Sequence, residues 1–159
     1  MLDIIFAIKF VHVIAASVML GTWLGVAIFM VMAHRSGNTS VVALTSRFVV
    51  AVELMAVAPA VALQPLSGFP LATAIGVSPF GEFWIVVSIV FYAAIALCWL
   101  AALRLELRIR NGTREAALNS KPLSDAYRRQ FRAWRLLAGP ILIGMVMVVA
   151  LMIWQPRFD

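Results

Sequence analysis

Four stretches of the chain each hold roughly the 20 mostly apolar residues that a helix needs to cross about 30 Å of hydrocarbon. They cover about 3–32, 41–66, 83–103 and 136–154. None shows the alternating polarity, over about ten residues, of a membrane barrel strand. The expected fold class is therefore all-α: an integral membrane four-helix bundle, forming one four-span domain over residues 1–159. Composition agrees, with 64% apolar residues, 13% charged and a mean hydropathy of +0.99. Soluble domains are only about half apolar, and a globule this small would leave too much of that hydrocarbon at its surface. The single cysteine, Cys98, excludes an internal disulfide framework. The first stretch opens on Met1-Leu2-Asp3, acidic where a signal peptide is basic, and its apolar run is far longer. It is expected to stay in the protein as a span.

Lys and Arg accumulate on the cytoplasmic side of a membrane. Arg35 and Arg47 follow span one, and nine basic residues lie in the polar region of about 104–135: Arg104, Arg108, Arg110, Arg114, Lys121, Arg128, Arg129, Arg132 and Arg135. These are eleven of the thirteen basic residues, and the connection from Ser67 to Glu82 has none. Both termini are thus expected outside, in a multi-pass protein of the bacterial cytoplasmic (inner) membrane. The net charge of +6 then reports topology and excludes a nucleic-acid partner as its explanation. Arg128, Arg132 and Arg135 recur at i, i+4, i+7, one helical face entering span four. That face suits anionic lipid headgroups or a soluble docking partner. Ser67-Gly68-Phe69-Pro70 and Ser78-Pro79-Phe80-Gly81 are expected to bound the outer loop, with a short turn at about Leu71–Ile75.

Deep polar residues carry the functional information, because a charge at the bilayer centre costs about 2.5–3.5 kcal/mol on insertion scales. Span one carries Lys9, His12 and His34. The two histidines point within about 40° of each other around the axis but lie about 33 Å apart along it, so they cannot share one metal within a chain. His12 is either an interhelical hydrogen-bonding residue or a haem ligand; His34, beside Arg35, suits the headgroup interface. By depth, Tyr92 of span three and Met145 of span four come near the level of His12. Glu53 lies about a dozen residues inside span two and must face the bundle interior, neutral or paired with a cation. It is the candidate proton-relay residue, or a structural hydrogen-bonding group. Gln64 and Ser67 sit near the outer end of the same helix, available to a ligand or to the turn.

Pro59, Pro65 and Pro140 each free a backbone carbonyl one turn earlier and should bend their helices. Trp84, Trp99, Trp134 and Trp154, near span ends, suit interfacial anchoring, whereas Trp23 is mid-span. Gly21 and Gly25 make a small-xxx-small patch fit for close helix contact. The chain has no P-loop, HExxH, CxxC or nucleophile elbow.

Lys9-Phe10-Val11-His12, the ending of span one in Ala33-His34-Arg35, and the stretch from Pro59 to Gly68 resemble a bacterial membrane family known as domain of unknown function 2269. So do Tyr127-Arg128-Arg129 through Trp134, Gly139-Pro140, and Leu151-Met152-Ile153-Trp154-Gln155-Pro156, although the family usually has lysine where Gln155 stands. More distantly, the lysine-then-histidine pattern of span one, the proline-to-glycine closure of span two and the C-terminal proline resemble the HemJ-type protoporphyrinogen oxidases. That resemblance implies a four-helix protein carrying haem b with His12 as axial ligand; the lysine which that family has in span three is absent here.

The leading expectation is a haem b protein of redox or electron-transfer character. His12 would be the ligand, Lys9 would pair with a propionate, Tyr92 or Met145 would lie opposite, and Glu53 would assist proton movement. Membrane lipids, a quinone or other membrane redox partner, and a second copy of the chain are the corresponding partners. The alternative is a non-enzymatic small subunit packing against a larger complex through Gly21 and Gly25. A transporter or channel, resting on Glu53 and the proline bends, comes third.

Overall fold

The structure, a computed structural model, describes residues 2–156; the outermost positions of the expected 1–159 domain lie outside the described residues. The described chain is all-helical. Helix α1 spans Leu2–Ser36, and span two comprises α2 (Thr39–Val52), a π-helical turn (Glu53–Val57) and α3 (Ala58–Ala74). Helices α4 (Phe83–Leu118) and α5 (Asp125–Trp154) complete the set. All four spans are long and apolar enough to cross a membrane, and four crossings return the chain to the side it started from.

The helices run further than the apolar stretches. The region 104–135 is not an extended loop: α4 continues to Leu118, α5 begins at Asp125, and only residues 119–124 connect them. On the outer side, Ser67 to Pro70 and the residues expected as a short turn belong to α3, which ends at Ala74 before Gly76 at φ +75°. Apolar length reports where lipid stops, whereas a helix continues for as long as its neighbours hold it. The tight turn from α1 to α2 has Gly37 at φ +64°, followed by Asn38. The Asn38 side chain accepts from the backbone N–H groups of Ser40 and Val41 at 2.9 and 3.2 Å, as an N-cap does. Ser124 caps α5 by accepting from Tyr127 N–H at 3.2 Å.

Span two changes neighbours along its length. Its cytoplasmic half, α2, packs mainly on α4 and also on α1, and its outer half, α3, packs mainly on α1; α5 lies against α4 and α1. The π turn lies where the change occurs. Pro59, two residues beyond it, offers no N–H and its ring presses on the carbonyl one turn back. The wider turn, closed by Ala58 N–H to Glu53 carbonyl, absorbs that misfit. Pro65 similarly orphans the carbonyl of Val61, and the Tyr92 hydroxyl of α4 donates to that oxygen. In hydrocarbon such a group must be answered by protein.

Trp84, Trp99 and Trp134 are buried, and only Trp154, 79% exposed, is placed as a membrane-interface anchor. The first three lie on helix faces that pack, which overrides their proximity to span ends. Trp134 stacks on Trp23 with centroids 6.2 Å apart and planes at 10°. Phe131, Tyr127 and His34 extend the aromatic column toward the cytoplasmic end. Gly21 and Gly25 face away from this core, since a methyl group at either would meet nothing within 4 Å.

Tyr92→Phe keeps the ring and leaves the Val61 carbonyl unanswered. It should lower stability by about 1–3 kcal/mol, read as a lower Tm in detergent. An unchanged Tm would mean that the carbonyl has another donor.

Candidate functional site

Three polar clusters occupy three levels of the bundle. At the outer level, α1 and α3 meet through His12. Its Nδ1 and the Ser67 Oγ are 2.9 Å apart, and Gln64 Nε2 donates to the His12 carbonyl at 3.1 Å. The Ser67 hydroxyl has a single proton, which it donates to the Leu63 carbonyl one turn back; its oxygen therefore accepts from His12 Nδ1–H. The ring proton is then fixed on Nδ1, and Nε2 keeps a free lone pair. This is the arrangement that prepares a histidine for a metal, with one nitrogen held by a hydrogen bond and the other left to ligate. Gly68 completes the fit: a Cβ there would stand 3.1 Å from His12 Cε1, so a larger residue would push the ring away from α3 by a few tenths of an ångström. Lys9, one turn toward the terminus, is exposed.

A second ligand is not brought to His12. Tyr92 and Met145 do converge, with Gln64, Met19 and Ile95, on a pocket of about 40 Å³, but His12 is not among its walls. Cofactor pockets hold about 300–1,000 Å³, and the Tyr92 hydroxyl is already committed to Val61. Tyr92 and Met145 therefore form no haem-sized pocket with His12 among the described residues. Among the described residues no group of three or more His, Cys, Asp or Glu side chains is placed to hold a metal.

Glu53 sits deeper and is fully buried. Its partner is not a cation: Trp99 Nε1 donates to its Oε2 at 2.6 Å. A second buried carboxyl, Glu106, which the sequence placed in a polar connection, makes the same kind of pair, accepting from Trp134 Nε1 at 2.7 Å. The two carboxyls lie within electrostatic reach of each other. Among the described residues, one oxygen of each, Glu53 Oε1 and Glu106 Oε2, has no hydrogen-bond partner, and neither has Trp23 Nε1, on the ring that stacks against Trp134. Buried carboxyls within membrane helices are often places where a proton is held or passed. Glu106 was findable. Trp99, Ala102, Glu106, Ile109 and Thr113, all buried, follow a 3-4-3-4 spacing that places them on one face of α4, while Arg104 and Arg108 lie off that stripe.

At the cytoplasmic level, His34 Nδ1 and the Tyr127 hydroxyl share a 2.9 Å hydrogen bond. The His34 ring stacks on Phe131 with centroids 3.9 Å apart. His34 is thus held by α5, more firmly than a residue lying free among headgroups.

Trp134→Phe removes the only donor to Glu106 among the described residues and leaves a core carboxyl without it, at a cost of about 1–3 kcal/mol or more. Pairing it with Glu106→Leu should restore part of the lost Tm. If the double variant is no more stable than Trp134→Phe alone, the indole–carboxyl bond is not what the core depends on.

No curated protein and no solved structure matches the chain. A family model described as a predicted integral membrane protein, DUF2269, matches residues 6–156. That span is nearly the whole chain, and the chain belongs to this family of predicted integral membrane proteins.

Proposed function

We propose that this multi-pass membrane protein binds haem b through His12 and serves a redox or electron-transfer role in the bacterial inner membrane. One observation carries the reading: Ser67 Oγ lies 2.9 Å from His12 Nδ1 while giving its own proton to the Leu63 carbonyl, an arrangement that favours the Nδ1–H tautomer with Nε2 as the ligand atom. The resemblance of span one to the HemJ-type family points the same way. His12 would hold the haem iron from this chain, and no second described residue is brought to it. A haem iron supplies one-electron chemistry when bound. The chain's own residues do the rest. Ser67 and Gln64 hold the ligand and its helix in place, Gly68 gives the ring its room, and Lys9 would pair with a propionate. Glu53, with Glu106, holds a proton in the cytoplasmic half. A quinone or another membrane-embedded carrier is the partner such a site would serve.

The test is the visible spectrum, oxidised and dithionite-reduced, of the full chain purified in mild detergent from haem-replete cells. A Soret band with sharp reduced bands is expected. His12→Ala should abolish it, and Ser67→Ala should weaken haem affinity by about 10–100-fold, the usual effect of losing a ligand's hydrogen-bond partner. A flat spectrum, or full haem occupancy in His12→Ala, contradicts the assignment.

A second reading has its own observation. Gly21 and Gly25 open outward from the bundle with nothing against them, the geometry of a surface for a further helix. On this reading the chain is a small subunit of a larger complex, or of a homo-oligomer. A colourless particle of defined larger mass that collapses to the single chain in Gly21→Leu/Gly25→Leu would favour it. A haem-bearing monomer unaffected by those substitutions would dismiss it.

A further inference from the structure

At the cytoplasmic end of the bundle, α1 and α5 enclose a pocket of about 200 Å³ walled by His34, Arg128, Phe131, Arg132 and Arg135. The spacing of the arginines is what builds it. Residues 128, 132 and 135 fall within about 60° around the axis of α5, and Phe131 lies beside them on the same face. Phe131 is buried and carries the stacked His34 ring, so the pocket has an aromatic floor and a cationic wall. Arg128 and Arg135 lie within electrostatic reach of that ring. None of the three guanidiniums forms an ion pair or hydrogen bond with a described residue, although Asp125 is only one turn from Arg128. His34 is fastened through Nδ1 by Tyr127, and its Nε2 has no partner among the described residues.

Three like charges within two helical turns repel one another, and no described carboxylate is paired with any of them. An anion offsets them. Guanidinium is the group that binds phosphate oxygens through paired, planar hydrogen bonds. The cavity is smaller than the roughly 300–1,000 Å³ of ordinary ligand pockets, which suits a phosphate group and excludes a whole nucleotide. Arg135 is also the last charged residue before the apolar run of span four, which sets the pocket at headgroup depth.

We infer that His34, Arg128, Arg132 and Arg135 form a binding site for a phosphate group, supplied by an anionic lipid headgroup or by free phosphate. The site lies at the opposite end of α1 from His12 and does not depend on the haem reading.

The full chain, freed of phospholipid in a non-ionic detergent and phosphate-free buffer, is titrated separately with short-chain phosphatidylglycerol and with inorganic phosphate. Arg128→Gln/Arg132→Gln/Arg135→Gln should weaken binding by about tenfold or more. Arg104→Gln/Arg108→Gln/Arg114→Gln removes the same charge from exposed positions on α4 that do not wall the pocket, and should change binding less than about twofold, because salt screens exposed charges that do not touch the ligand. Arg132→Lys keeps the charge but loses the planar fork, and should still weaken binding several-fold. Binding of phosphatidylglycerol alone assigns the phosphate to a lipid headgroup. Binding of inorganic phosphate that displaces the lipid, or binds without it, assigns a free phosphate site. The inference is overturned if neither ligand binds, or if the α4 variant loses as much affinity as the α5 variant. The α5 arginines are exposed, so the variant should elute as the wild type does; Arg132→Lys provides the same test with the charge intact.

Discussion

A carboxyl group buried in the core of a helix bundle must find its partners in the protein, and this fold supplies an indole N–H to each of two of them. Trp99 ties Glu53 of span two to α4, and Trp134 ties Glu106 of α4 to α5. These bonds join three of the four spans. The fourth, α1, enters through the Trp23–Trp134 stack. Lipid supplies no hydrophobic drive between helices, so bonds and stacks of this kind decide which faces meet. The same requirement explains why Tyr92 reaches the carbonyl that Pro65 leaves open.

The π turn at Glu53–Val57 couples this core to the outer half. It lets span two leave α4 and continue against α1, and that second contact creates the His12 setting. Ser67, Gln64 and Gly68 are all on α3 and all act on one residue of α1. Pro59 is thus more than a helix breaker. The misfit it imposes is absorbed by a wider turn, and the redirected helix brings a hydroxyl to the histidine ring.

The four spans, their order and the inward position of Glu53 were legible because apolar length and the cost of buried charge are properties of single segments. Partners were less so. Nothing local to Glu53 names Trp99, which lies 46 residues on, and three tryptophans expected at the interface proved to be core residues because their helix faces pack. Glu106 was hidden among arginines that face elsewhere, although its spacing from Trp99 and Ala102 carried the signal. Depth counting brought Tyr92 and Met145 to one pocket with Gln64, yet left His12 outside it. Depth along an axis says nothing about direction around it.

The functional reading rests on one proton. If Ser67 accepts from His12 Nδ1, the cofactor-free protein must hold that imidazole as the Nδ1–H tautomer. Nitrogen-15 NMR of the histidine side chains in haem-free detergent samples, with His34→Gln to isolate the His12 signals, measures this directly. The account predicts a protonated Nδ1 and an unprotonated Nε2, with the pattern lost in Ser67→Ala. An Nε2–H tautomer in the wild type would contradict it, because the ligand atom would then already be occupied.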